Sequence, residues 1–142
     1  KRALPADYSP SEDEEYMSEK QLNYFRVLLL EWKRSIVQAS EGTLQNLQDG
    51  PIREPDLNDR ASSETDWGIE LRTRDRERKL LRKIDSALAR IEEGSYGYCD
   101  ETGEEIGLKR LEARPVATLC LEAQERRELA ERQFRDRDDR YR

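Results

Sequence analysis

Two stretches of the 142-residue chain place apolar side chains at alternating steps of three and four, the spacing of a helix that buries one narrow face. In the first stretch these positions are Leu22, Phe25, Leu29, Trp32, Ile36 and Ala39, with Leu47 further along. Ser18 followed three residues later by Gln21 is the capping-box pattern of a helix start. The pattern predicts a first helix from Ser18 to about Gln48.

The second stretch predicts a helix that carries Leu80, Ile84, Leu88 and Ile91 and ends at Gly94. Asp59 or Ser63 suits its N-cap. Between the stretches, residues 49–60 contain one glycine, two prolines and several Asx residues, which predict a loop. Because this loop is short, the helices are expected to lie antiparallel, each about 45 Å long. Residues 18–93 are therefore predicted to form a long coiled-coil hairpin with tip loop 49–60.

The apolar face of the predicted hairpin is uneven. It is dense near Leu22 and Ile91 and sparse toward the loop, where the second helix reads ELRTRDRERK. A solvated charged face is one interpretation of the distal part. The other is a prong that enters a partner.

Composition limits the remaining classes. Charged residues make up 41% of the chain and aromatic residues 7%, which is typical of long solvated helices and not of a thick globular core. The net charge of −6 argues against general nucleic-acid binding, and no apolar run approaches the roughly 20 residues of a membrane span. Residues 1–17 are polar, lack a signal-peptide apolar region and are expected to form a tail or a short helix. Two cysteines are too few for a secreted disulfide scaffold, so we expect a cytoplasmic protein.

Residues 94–123 have the layout of a four-ligand zinc module. Cys99 and Cys120 stand at the first and third ligand positions, but Thr102 and Ala123 stand at the second and fourth. With cysteine at both, the spacing would be C-x2-C-x17-C-x2-C, which is standard for structural zinc. Gly103 follows the second position, as in zinc knuckles, where the turn favours positive φ.

Two thiols in a chain without histidine make a poor zinc site, although Asp100 or Glu122 could supply a carboxylate. We expect the module to keep its packing without the metal. The two thiols are then either inert and buried or a redox-sensitive pair. A charged C-terminal helix completes this degenerate module over residues 94–134, and residues 135–142 are expected to be a flexible tail.

Four segments together resemble the DksA/TraR group of bacterial transcription regulators. They are LNDRASSE, ELRTRDRERKLLRKI, YGYCDETGEEIGLKRLEARP and TLC, in the order and spacing of that family. The resemblance runs from about Ser18 to Arg132. It implies a mainly α protein, with an antiparallel coiled-coil hairpin plus a small zinc-finger-like globular module and a C-terminal helix. Thr102 and Ala123 match the cysteine-poor members of the family, which keep the module's shape without zinc.

The resemblance also implies a partner and a mode of action. Family members bind RNA polymerase through its secondary channel and do not bind DNA directly, and we expect a monomer. Their hairpin tip has an Asp-x-x-Asp-x-Ala pattern, here Asp56, Asp59 and Ala61, which acts near the catalytic Mg²⁺. Arg76 is expected to contact the polymerase.

A nucleotide effector is implied as well. Together with the polymerase, the family binds guanosine tetraphosphate (ppGpp), represses ribosomal RNA promoters and affects amino-acid promoters. The matching positions are Leu80, Lys83, Arg114 and Gln124. Cations suit the pyrophosphates of this ligand, but Gln124 replaces a lysine, which puts one phosphate contact in doubt.

Two other function classes remain open on the sequence. One is a secondary-channel transcript-cleavage factor that delivers acidic residues to the catalytic metal. The other is a generic coiled-coil adaptor. An enzyme in its own right is not expected, since the chain shows no nucleophile–base pair, phosphate loop or intact metal site.

Overall fold

The computed structural model describes the backbone of residues 7–49 and 57–140, and the side chains of residues 7–42 and 65–139. The elements in chain order are α1 (Glu19–Asp49), α2 (Leu57–Glu93), α3 (Leu108–Ala113) and α4 (Leu121–Arg140). An isolated antiparallel bridge joins Tyr98 to Glu105. The predicted mainly α class is confirmed. None of the described helices combines the length and the apolar character that crossing a membrane requires.

The chain divides into two compact units, residues 27–88 and residues 1–26 with 89–142. The first unit contains the greater part of α1 and α2. Lys33 Nζ lies 2.7 Å from Asp85 Oδ1, and Ser40 donates a hydrogen bond of 2.6 Å to Glu77. Residue numbers rise along α1 as they fall along α2, so the two helices are antiparallel, as the short loop predicts.

Apolar burial in this unit is concentrated at one end. Leu29, Ile36, Ile84 and Ala87 are buried. Among the described side chains beyond them, residues 37–42 and 65–83, no apolar side chain is buried. Among the described side chains, the predicted loss of apolar burial toward the loop is confirmed.

The ends of the two long helices follow the local sequence closely. Ser18 Oγ accepts a hydrogen bond of 3.3 Å from the Gln21 backbone N–H. The Gln21 side chain, however, accepts from the Met17 N–H at 2.8 Å, one residue outside the capping-box position. At the other end, the Ser95 N–H reaches the Arg90 carbonyl at 3.0 Å, which is the long-range hydrogen bond of a Schellman motif.

Two predicted boundaries are wrong. The tip loop was expected over residues 49–60, but α2 already begins at Leu57. No glycine or proline occurs between Pro55 and Gly68, so nothing in that run stops the helix from starting early. The flexible tail expected over residues 135–142 is helical as far as Arg140, since residues 121–140 also lack both residue types.

The other unit contains a core of buried side chains around the degenerate zinc module. Its buried apolar members are Phe25, Ile91, Tyr96, Cys99, Ile106, Leu108, Leu111, Leu119, Cys120 and Ala123. The Phe25 and Tyr96 rings lie 5.5 Å apart, and the Tyr96 hydroxyl donates to the Pro115 carbonyl at 2.8 Å. Burial raises the pKa of Tyr96 well above its usual range, so this hydroxyl remains a donor.

Residues 7–17, hereafter the N-terminal segment, are neither a tail nor a helix, which corrects the prediction for this part. They form turns that pack against the module. The Tyr16 hydroxyl donates to the Gly97 carbonyl at 2.7 Å and accepts from the Gly107 N–H at 3.0 Å. A Cβ on Gly97 would lie 2.9 Å from Met17 Cγ, so the close approach requires glycine. Local periodicity could not reveal contacts that span so many residues.

We expect Tyr16→Phe to loosen the module. The change removes a hydroxyl that makes two hydrogen bonds, and the free energy of opening around Gly107 should fall by about 1–3 kcal/mol. Hydrogen exchange of the Gly107 amide, followed by NMR, measures this directly. Tyr98→Phe is the matched control, because it removes a hydroxyl from an exposed ring that lies 5.6 Å from Tyr16. Equal protection of Gly107 in wild type and Tyr16→Phe would contradict the expectation.

The N-terminal segment should also respond to pH at both extremes. Hydrogen bonds from the Ser11 N–H and the Tyr8 hydroxyl lower the pKa of Glu14 below 4.5. Their stabilisation is therefore present above pH 4.5 and is lost as the pH falls through the lowered pKa. Burial, the hydrogen bond to Glu14 and its charge raise the pKa of Tyr8 from 10.0 to about 12. The Tyr8 contribution is thus present below pH 10 and is lost as the pH rises toward 12.

An NMR titration of the Tyr8 ring should give a midpoint near 12. Glu14→Gln should lower this midpoint without returning it to 10, since burial is the largest cause of the shift and remains. Glu12→Gln, a change at an exposed neighbouring carboxylate, is the control and should leave the midpoint in place. A Tyr8 midpoint unmoved by Glu14→Gln would rule out this pairing.

Candidate functional site

The turn that carries the first cysteine is closed by backbone hydrogen bonds. The Cys99 N–H donates to the Glu104 carbonyl at 2.8 Å, and the Gly103 N–H donates to the Cys99 carbonyl at 2.9 Å. Gly103 has a φ of 74°, so the positive φ predicted from the knuckle pattern is confirmed. The Asp100 N–H donates to the Thr118 carbonyl at 2.8 Å, which joins this turn to the segment that precedes α4.

The structure brings Cys99, Thr102 and Cys120 together. The Cys99 thiol is 4% exposed and accepts hydrogen bonds from the Thr102 hydroxyl and from the backbone N–H groups of Glu101, Thr102 and Cys120. Thr102 Oγ1 lies 4.0 Å from Cys120 Sγ. Cys120 immediately precedes α4 and is 8% exposed. Ala123, at the fourth ligand position, is fully buried in the first turn of α4.

The surroundings of Cys99 favour its anionic form. Burial raises the pKa of the thiol, but the hydrogen bonds from Thr102, Cys120 and Glu101 stabilise the thiolate and outweigh the effect of burial. The pKa falls from 9.0 to about 6. Cys99 is therefore a thiolate at neutral pH, which is the state in which cysteine binds metals.

The donor set does not fit zinc. A structural zinc ion takes four ligands, and this site offers two thiols, a hydroxyl and a methyl group. In the described part of the chain, no group of three or more His, Cys, Asp and Glu side chains could hold a metal ion. Neither Asp100 nor Glu122 therefore completes such a group with the two thiols.

Of the three residues assigned to the hairpin tip, the structure describes only the backbone of two. Asp56 lies outside the described residues. Asp59 and Ala61 lie at the start of α2, but their side chains are outside the described set. Arg76 is exposed on α2, where its guanidinium donates to Thr73 Oγ1 at 3.3 Å. The predicted roles of these residues stay predictions.

The four residues assigned to nucleotide binding divide between the two units. On α2, Leu80 is half-buried and Lys83 is exposed, and their spacing of three places them on one helix face. In the module, Arg114 is exposed at the end of α3, where its N–H donates to the Arg110 carbonyl at 2.7 Å. The Gln124 side chain donates to Glu128 at 2.8 Å.

Arg114 lies on an open groove of the module. The groove has a volume of about 460 Å³ and is lined by Glu12, residues 106–110, Ala113, Arg114 and Leu121. Lys109 and Arg110 add positive charge beside Arg114, and Arg110 Nε is held by the Leu119 carbonyl at 2.9 Å. Sequence reasoning found Arg114 only through the resemblance and did not identify its two basic neighbours.

The sequence patterns also did not reveal that Tyr16 and Gln21 contribute contacts to the module. Gln21 was seen only as part of a helix cap, but its side chain is fully buried and also donates to the Ser11 carbonyl at 3.1 Å. The capping-box pattern was thus a correct but incomplete signal. For Tyr16 the sequence held no signal.

Comparisons with known proteins place the whole arrangement in one family. Residues 21–91 match the family model of the N-terminal domain of DnaK suppressor protein DksA, and residues 94–129 match that of the prokaryotic dksA/traR C4-type zinc finger. The chain belongs to the DksA family. Within this family's C4-type finger, Thr102 and Ala123 depart from the four-cysteine pattern.

Relatives match over nearly the full chain. The protein named RNA polymerase-binding transcription factor DksA from Caulobacter vibrioides is 60% identical over 131 residues, which is 92% of each chain. The proteins of that name from Haemophilus influenzae and Escherichia coli K12 are 45% and 43% identical, and each alignment covers 89% of this chain and 87% or 84% of the relative. The solved structure of transcription factor DksA2 from Pseudomonas aeruginosa has a TM-score of 0.74 and 50% identity, and covers 82% of this chain and 90% of that one.

We expect the purified protein to contain no stoichiometric zinc, and strong chelators to leave its melting temperature unchanged. A structural zinc contributes on the order of 10 kcal/mol to a small module, so its removal would be visible in thermal unfolding. Replacing both Cys99 and Cys120 by serine should be tolerated at a cost of about 1–3 kcal/mol for two buried hydroxyls. Elemental analysis near one zinc per chain, or unfolding of the module by a chelator, would contradict the expectation.

Proposed function

We propose that this chain is an RNA polymerase-binding regulator of transcription initiation that enters the enzyme's secondary channel. The observation that carries the proposal is the similarity to proteins named RNA polymerase-binding transcription factor DksA, which extends over 92% of the chain at 60% identity. Both the hairpin and the module lie within that similarity. We further propose that the protein acts as a monomer in the cytoplasm and makes no direct contact with DNA.

The surface of the distal part of the hairpin supports the proposal that a partner protein binds there. None of the described side chains over residues 37–42 and 65–83 is buried, so the side chains of this part are exposed or half-buried. Arg72, Arg76, Lys79 and Lys83 follow one another at helical spacing on α2, and all four are exposed. In a chain of net charge −6, this positive face is suited to an acidic protein surface. It gives Arg76, proposed as a polymerase contact, three basic neighbours.

The proposed mechanism places the acidic tip near the polymerase active site. Asp56, Asp59 and Ala61 would act beside the catalytic Mg²⁺ and destabilise initiation complexes. Ribosomal RNA promoters would be repressed and amino-acid promoters affected. Asp59 lies in the first turn of α2, where the helix dipole favours a carboxylate.

The proposed effector is guanosine tetraphosphate, bound jointly with the polymerase by Leu80, Lys83, Arg114 and Gln124. Lys83 and Arg114 are exposed cations, which suits phosphate recognition. Gln124 is neutral and already donates to Glu128, so it is a weaker phosphate ligand than a lysine would be. We propose that the nucleotide response of this chain is correspondingly smaller.

The test is initiation in vitro from a ribosomal RNA promoter with purified polymerase, with and without the nucleotide. Repression that increases with the nucleotide supports the proposal. A parallel incubation with backtracked polymerase addresses transcript cleavage, which would release short RNA fragments. Polymerase binding without any effect on initiation would instead indicate an adaptor.

We expect Asp59→Asn to abolish regulation while leaving polymerase affinity almost unchanged. The amide is nearly isosteric with the carboxylate, so α2 should fold normally. Asp66→Asn, which removes the same charge from an exposed position on the same helix, is the control and should regulate normally. Promoter repression and polymerase binding are measured in parallel. Normal repression by Asp59→Asn, or a loss of affinity in proportion to the loss of activity, would refute the tip assignment.

We expect Lys83→Ala and Arg114→Ala to weaken the response to guanosine tetraphosphate by roughly ten- to hundredfold, because each removes a charge-assisted contact of about 1.5–3 kcal/mol. The response without nucleotide should change less. Gln124→Lys should strengthen the nucleotide effect for the same reason.

The matched control for Lys83→Ala is Arg82→Ala, which removes an exposed cation from the adjacent position. The matched control for Arg114→Ala is Lys109→Ala, which removes an exposed cation from the same groove. Nucleotide titrations of promoter repression separate the two responses. If basal and nucleotide-dependent repression fall together in Lys83→Ala and Arg114→Ala, these residues serve docking and the nucleotide site is misassigned.

A further inference from the structure

The cluster of Cys99, Thr102 and Cys120 keeps features of a metal–thiolate centre that zinc cannot use here. In such centres, N–H groups around the ligands orient them and disperse their negative charge. The backbone N–H groups of Glu101, Thr102 and Cys120 all donate to the Cys99 sulfur, as does the Thr102 hydroxyl. Surroundings of this kind support an anionic sulfur whether or not four ligands are present.

The geometry places the second sulfur close by. The Cys120 N–H reaches the Cys99 sulfur, and the Thr102 hydroxyl that donates to Cys99 lies 4.0 Å from Cys120 Sγ. The Thr102 hydroxyl is therefore close to both sulfurs. At 4% and 8% exposure, the two cysteines are also shielded from competing ligands in solvent.

The number of ligands selects the kind of ion. Zn²⁺ in structural sites is four-coordinate, and the described residues provide no third His, Cys, Asp or Glu side chain to the pair. Thiolates select soft ions, of which Cu(I) is the principal biological example. A filled d shell lets Cu(I) bind two thiolates in a linear arrangement, with no further ligand required.

We infer that Cys99 and Cys120 bind one Cu(I) ion per chain as a two-thiolate site, with Thr102 donating a hydrogen bond to the Cys99 sulfur. Each thiol that is still protonated releases its proton to solvent when the ion binds, and the resulting centre carries one negative charge. Cys120 immediately precedes the 20-residue helix α4, whose N-terminus favours such a charge. No electron is transferred in this step.

The consequence is a link between two parts of the module. Cys99 belongs to the turn closed at Gly103, and Cys120 belongs to the start of α4. An ion held by both sulfurs would add a bond between these parts to the packing that holds them now. The inference is independent of the proposed polymerase function, and its test uses no transcription assay.

The experiment titrates the reduced full-length protein with Cu(I) under anaerobic conditions, in competition with the chelator bicinchoninate. We expect one Cu(I) per chain in a monomeric complex. Cys99→Ser and Cys120→Ser should each lower the affinity by more than hundredfold. Thr102→Val should lower it by about 10–100-fold, as for the loss of a hydrogen bond to a metal ligand, and Thr102→Ser should retain it.

X-ray absorption of the wild-type complex provides a readout that depends on no variant, and two sulfur donors are expected at the metal. Circular dichroism of each variant checks that the helices are intact. Failure of the wild type to compete for Cu(I), unchanged affinity in either serine variant, three or more donors at the metal, or an ion shared between two chains would each overturn the inference.

Discussion

The Tyr16 hydroxyl joins three parts of the module that are distant in sequence. It donates to the Gly97 carbonyl and accepts from the Gly107 N–H, while the same carbonyl also accepts from the Ile106 N–H at 2.8 Å. This arrangement closes the two ends of the loop around the first cysteine. It depends on the absence of a side chain at Gly97, since a Cβ there would meet Met17. The N-terminal segment is thus a structural part of a module too small to rely on its own core.

Within the unit of residues 27–88, apolar burial decreases toward the loop between α1 and α2. Leu29 and Ile84 are fully buried, and Ile36 is 9% exposed. Among the described residues 37–42 and 65–83, no apolar side chain is buried. The ion pair of Lys33 with Asp85 is exposed at the surface, and such pairs contribute only about 0–1 kcal/mol. The distal hairpin is therefore the least stabilised described part of the two long helices. The basic face on α2 indicates what kind of partner suits this part of the hairpin.

The sequence predicted those features that depend on neighbours in the chain. Helix ends at Ser18 and Gly94 and the positive φ of Gly103 were correct, because capping and turn chemistry act over a few residues. The start of α2 and the length of α4 were wrong, because helices without glycine or proline extend as far as the chain permits. The order of the N-terminal segment was missed, since Tyr16 contacts residues more than eighty positions away. Of the candidate site, the meeting of Cys99, Thr102 and Cys120 was foreseeable from ligand spacing, whereas the N–H donors around Cys99 depend on backbone geometry that no residue pattern encodes.

That backbone geometry also explains why two ligand positions could change without loss of the fold. The turn is fixed by Gly103 and by backbone hydrogen bonds to Cys99, none of which involves a side chain at position 102 or 123. Thr102 adds its own contacts, accepting from the Glu104 N–H at 3.2 Å while donating to Cys99. Hydrogen bonds of this kind contribute about 0.5–1.5 kcal/mol each, far less than a structural zinc. Packing of Ala123, Leu108, Leu111 and Leu119, which are all buried in the module, must supply the difference.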